Sequence, residues 1–70
     1  MIKYDAIIRD YSVLELGPRH KVIIGKIYDD SKSRFNDGDV IKTSVAIDLN
    51  EEDGYVRTRN TMYKLENKAA

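Results

Sequence analysis

Apolar residues in this chain recur mostly at every second position. The alternation is most regular over residues 40–49, where Ile41, Thr43, Val45, Ile47 and Leu49 share one phase and Val40, Lys42, Ser44, Ala46 and Asp48 the other. That period predicts a strand with one face in a core and one in water, and the β-branched content agrees. Residues 22–28 are apolar on both phases, which predicts a central strand, with Gly25 as a bulge or a close backbone approach. Residues 55–65 change phase midway: Val56 and Thr58 lie on one phase, Thr61, Tyr63 and Leu65 on the other. A two-residue turn at Arg59 and Asn60 brings all five to one face, with Thr58 opposite Thr61 and Val56 opposite Tyr63. Arg-Asn is not a favoured pair for such a turn, and a bulge would also reset the phase.

Residues 2–16 read two ways. As strands, Tyr4, Ala6 and Ile8 share a face, and a second short strand over 12–16 sets Leu14 and Leu16 on one side. As a helix, Ile7, Ile8, Tyr11 and Leu14 form a stripe that Gly17 and Pro18 terminate. The β-branched Ile2, Ile7, Ile8 and Val13 favour strands, and Gly17 to His20 then closes a hairpin. The polar loop 29–39 contains Phe35, expected to pin it to the core. Gly38 turns the loop, and Ile41 and Tyr63 are expected structural residues of the sheet. The expected fold is all-β, with at most one short N-terminal helix: a small antiparallel meander forming a curved sheet or small barrel. Residues 1–66 make one domain and 67–70 a frayed tail.

Composition narrows the function more than the fold. With 70 residues and no Cys, the core supplies only about 3–5 kcal/mol and has no disulfide or thiolate metal site to supplement it. Self-association would add stability, so a homodimer is a candidate state. Twelve Lys and Arg balance twelve Asp and Glu, a poor basis for duplex DNA binding unless the charges segregate in space. No stretch has the length and apolarity of a membrane span. The first residues do not read as a secretory signal, so the expected location is cytoplasmic, with no membrane partner.

Residue types give little support for catalysis or a cofactor. Around Gly38, a calcium loop would need ligands where Ser33, Phe35 and Ser44 stand. His20, the single histidine, has no Cys to pair with and no Ser in a nucleophile setting. The four glycines are too dispersed for a phosphate cradle. No catalytic residue, metal or cofactor is therefore expected, and the protein is expected not to be an enzyme. Five Tyr and one Phe interleave with arginines, a composition suited to interaction surfaces and to stacking on single-stranded nucleic acid. Tyr55, Arg57 and Arg59 share a strand phase and, with Arg34, form the candidate interaction surface.

A second kind of information comes from a motif. Arg34, Phe35, Asp37, Gly38, Ile41, Thr43 and Ser44, followed by Val56, Thr58, Tyr63 and Leu65, read as Arg-Phe-x-Asp-Gly-x-x-Ile-x-Thr-Ser, then Val-x-Thr and Tyr-x-Leu. This half of the chain resembles small uncharacterised proteins of tailed phages and prophages. The resemblance implies a phage accessory protein that binds a host protein and modulates or inhibits it, in host takeover or against a defence complex. It supplies no activity. The alternative from residue types is a small β-barrel binding single-stranded nucleic acid.

Overall fold

A computed structural model describes residues 3–69. It is all-β: β1 (Ala6–Gly17), β2 (His20–Tyr28), β3 (Val40–Lys42), β4 (Asp48–Asn50), β5 (Tyr55–Arg57) and β6 (Met62–Lys68). They form one sheet in the order β3-β2-β1-β6-β5-β4. The chain makes two antiparallel three-stranded meanders, and a parallel pairing of β1 with β6 joins them at the centre. The sheet is therefore mixed. Of the two readings for the N-terminal segment, the strand is found, and no helix occurs among the described residues.

β1 stays continuous because of a bulge. Its register with β2 slips between Arg9 and Ser12, where Asp10 takes a φ of 53°. The extra residue flips the phase, so Ala6 and Ile8 before it and Tyr11 and Val13 after it all face the core. Leu14 and Leu16 are consequently directed outward, at 41% and 58% exposure. Gly25 sits opposite this bulge; a Cβ there would lie 2.6 Å from Ile8 Cγ2 and 3.0 Å from the Arg9 carbonyl. Of the two roles expected for Gly25, close approach is the one found. The β1–β2 hairpin turns through Pro18 and Arg19, with Arg19 at φ 63°.

The sheet is strongly curled without closing into a barrel. Laid flat, its two edge strands would stand about 24 Å apart, more than the roughly 20 Å that residues 43–47 can span. The neighbours Ala46 and Ile47 show the curl directly. Ala46 N–H donates to Lys21 C=O on β2, and Ile47 N–H donates to Arg57 C=O on β5. The concave side holds Ala6, Ile8, Tyr11, Ile23, Ile27, Ile41, Val56, Tyr63 and Leu65. One row, Leu65–Ile8–Ile27, crosses three strands in register.

Three expectations need correction. Residues 40–49 are not one strand: the ladder stops after Lys42, and Val45 and Ile47 are exposed at 42% and 59% while Ala46 packs on the core. The corner has to cross from β2 to β5, and that crossing breaks the alternation. Phe35 does not pin its loop; it is 41% exposed, with the Arg34 guanidinium 5.4 Å from its ring centre. Polar groups hold the loop instead. The Asp30 carboxylate accepts the N–H groups of Lys32 and Arg34 and the Arg34 side chain, and Asp37 accepts the Asp29 N–H. The tail is not frayed through 67–69: β6 runs to Lys68, and Ala69 N–H donates to Tyr11 C=O. Met1, Ile2 and Ala70 lie outside the described residues.

Candidate interaction face

The convex side of the sheet carries two of the four predicted surface residues, Tyr55 and Arg57. Tyr55 and Arg57 are alternate positions of β5, flanking the fully buried Val56. Register then builds a row across four strands: Tyr55 opposite Lys64, Lys64 beside Ile7, Ile7 opposite Tyr28. A second row runs Glu66, Arg9, Lys26, Val40. Arg57 stands opposite Met62 on one side and Asp48 on the other.

The four predicted residues do not form one cluster. Tyr55 and Arg57 lie on the face, and the Tyr55 hydroxyl reaches Asp48 Oδ2 at 3.3 Å. Arg59 is exposed in the β5–β6 turn. Arg34 belongs to the 29–39 loop, where the Asp30 carboxylate engages it. Burial works against the Arg34 charge, but Asp30 and the Tyr63 hydroxyl favour it more strongly and raise the guanidinium above its ordinary value. Arg34 is thus a loop-holding residue. Gly38 has a φ of 89° in the loop's closing turn, and Ile41 and Tyr63 are core residues.

Residue types alone missed the centre of this face. Arg9 lies 4.7 Å from the Tyr28 ring centre and donates to Glu66 Oε1 at 2.8 Å. That hydrogen bond is the main cause holding the Glu66 carboxyl below its usual range; burial opposes it and Lys64 adds to it. The same contact raises the Arg9 guanidinium. Counting back from the Pro18–Arg19 turn brings residues 7–9 of β1 alongside Lys26 and Tyr28 only when both register slips, between Glu15 and Gly17 and at Asp10, are known. The partnership with β6 is a contact between chain ends and has no local signature.

A second polar cluster closes one end of the core. Lys68 Nζ lies 2.8 Å from Glu51 Oε1, which also accepts the Tyr11 hydroxyl at 3.2 Å. Lys68 chiefly lowers the Glu51 carboxyl against the effect of burial, and Tyr11 assists. Burial, then the bond to Glu51, raises the Tyr11 phenol.

Charge is sorted by location. Arg9, Lys26, Lys42, Arg57 and Lys64 occupy outward strand positions, against Asp10, Asp48 and Glu66, with Asp10 Oδ2 3.9 Å from Lys26 Nζ. Asp29, Asp30, Asp37 and Asp39 lie in one loop, and Glu51, Glu52 and Asp53 in another. Among the described residues no three acidic, His or Cys side chains are grouped to hold a metal, and the surface has no enclosed pocket. Neither protein-family models, curated proteins nor solved structures give a match to this chain.

Proposed function

We propose that this protein is a non-enzymatic binding module that occupies a partner protein's surface with the convex face of its sheet. One observation carries the reading: the row Tyr55–Lys64–Ile7–Tyr28, bordered by Arg9, Lys26 and Arg57. It offers half-buried aromatic and aliphatic side chains ringed by charges of both signs, and Tyr and Arg are the types that dominate interface energetics. Glu66 and Asp48 within the face suit a protein surface better than a polyanion. The phage resemblance adds that the partner is a host protein in the bacterial cytosol.

The test compares wild type with a Tyr55→Ala/Arg57→Glu double variant as bait in a bacterial host lysate. Wild type should retain one protein in stoichiometric amount, and the variant should lose it while melting normally. Equal retention by both baits, or no retained protein, removes the reading.

One observation favours a second reading. Most acids lie in loops, which leaves the convex face net basic, the charge that a single-stranded nucleic-acid backbone requires. That reading requires a labelled oligonucleotide to bind at low salt and to release steeply as salt rises. No binding at low salt eliminates it.

A further inference from the structure

We infer that the second half of β1 is an association edge, and that its occupant is the same segment of a second copy of this chain, paired antiparallel about Leu14. This inference stands apart from the convex-face reading and uses different residues.

The observation is a mismatch in strand length. β6 accompanies β1 only as far as the pair Tyr11 with Lys68, followed by the bond from Ala69 N–H to Tyr11 C=O. β1 continues to Gly17, paired with β2 on its other side. Among the described residues, the backbone groups of residues 13–17 that point away from β2 have no main-chain partner. Ser12, Leu14, Glu15 and Leu16 are exposed along this stretch.

An open edge templates further strand pairing unless it is short, charged or covered. The other two edges meet the first two conditions. β3 and β4 have three residues each, and each carries a charge, Lys42 on β3 and Asp48 on β4. The open half of β1 has one charge, Glu15, beside two exposed leucines.

The chemistry of the segment favours a second copy and sets its register. Pairing about Leu14 puts Leu14 against its equivalent and Val13 opposite Glu15, within the open stretch beyond Ala69. Pairing about Glu15 would put two carboxylates directly opposite, which is unfavourable. A two-fold axis at Leu14 therefore satisfies both strands at once, as an isologous contact requires. With zero formal net charge, two copies approach without long-range repulsion. A ladder this short buries less than about 1,200 Å² in total, so the dimer is weak and concentration-dependent.

Sedimentation of the whole chain from about 5 μM to 1 mM should shift the mass from the 8.1 kDa monomer toward twice that value. Amides of residues 13–17 should gain exchange protection over the same range. Leu14→Lys sets two ammonium groups opposite each other and should weaken association about tenfold or more. Its urea midpoint in dilute solution reports that it still folds. Tyr55→Ala/Arg57→Glu should dimerise like wild type. A monomer at every concentration, a dimer indifferent to Leu14→Lys, or protection of residues 13–17 arising only with a different protein overturns the inference.

Discussion

Residues 40–49 and 55–65 make an instructive pair. The first has the cleanest period-2 alternation in the chain, yet forms a three-residue strand, an irregular corner and another three-residue strand. The second breaks phase in its middle, yet folds as the hairpin its pattern implies: Val56 pairs with Tyr63, and Thr58 N–H donates to Thr61 C=O at 2.9 Å. All five of its inward side chains, Val56, Thr58, Thr61, Tyr63 and Leu65, are buried. Alternation reports which residues can line a face. Whether one sheet receives the whole run depends on the remainder of the chain, and here residues 43–47 must cross between the sheet's two edges.

The largest effect that sharpens this comparison uses two isoleucines of the same phase. Ile41 is 7% exposed and Ile47 59%. Ile41→Ala should cost about 3 kcal/mol, close to the whole stability expected of so small a domain. Ile47→Ala should stay within about 0.5 kcal/mol. Urea melts of the two variants decide it, with Ile41→Val as a milder control at about 1 kcal/mol. Similar losses at both positions would restore the single strand.

The break itself has a residue. Thr43 is 5% exposed; its Oγ1 accepts the Ile23 N–H at 3.0 Å and donates to Ser44 C=O at 2.9 Å. Strand alternation treats this position as an inward side chain for which Val is equivalent. The structure predicts instead that Thr43→Val costs about 2 kcal/mol, because a buried acceptor for the Ile23 N–H and a donor to the corner vanish together. A neutral melt would mean that the corner does not depend on the hydroxyl.

What could be read in advance follows from range. Strand character, the two hairpins and most of the core come from neighbours in sequence: β-branched alternation, Pro18–Arg19, and Thr58 facing Thr61. The bulge at Asp10 is not legible, because it is a matter of register between two strands, set opposite Gly25 of the facing one. The parallel β1–β6 pair joins segments more than fifty residues apart, and no local pattern specifies it. Nothing in the local pattern therefore marks Arg9 as a member of the convex face. A lone aromatic in a polar loop usually anchors it, which points to Phe35, whereas here the Asp30 carboxylate does so with its side chain 1% exposed.

That carboxylate gives the loop leading into β3 a pH dependence. Burial alone would raise the Asp30 carboxyl, but hydrogen bonds from Arg34 and Lys32 outweigh it and hold the group below its ordinary value. A lowered folded-state value means a stabilisation present above the unfolded pKa, about 4, and lost as pH falls through the folded one. Asp30→Asn should cost about 1–2 kcal/mol at pH 7. The gap from wild type should narrow as pH drops below about 4. Glu51 and Glu66 are shifted the same way, so acid should also weaken the Asp30→Asn variant. Phe35→Ala, in the same loop, should cost under about 1 kcal/mol. A gap that widens in acid would assign the loop's stability to other groups.

The smallest effect concerns the hairpin over residues 55–65. Arg59 and Asn60 lack the residue types that favour a two-residue connection, so something outside the turn must hold it. Lys32 from the 29–39 loop does so: its Nζ donates to the Asn60 carbonyl and, at 3.1 Å, to Thr61 Oγ1. Thr61 is buried, while Asn60 faces water. Lys32→Met keeps the aliphatic stem and removes the donor. Because water can replace the Asn60 contact, the cost should be about 1 kcal/mol. It should appear first as faster exchange of the Thr58 amide, which bonds across the turn to Thr61 C=O. Unchanged exchange at Thr58 would show that the turn closes without outside help, and the 55–65 segment would then be self-sufficient where 40–49 is not.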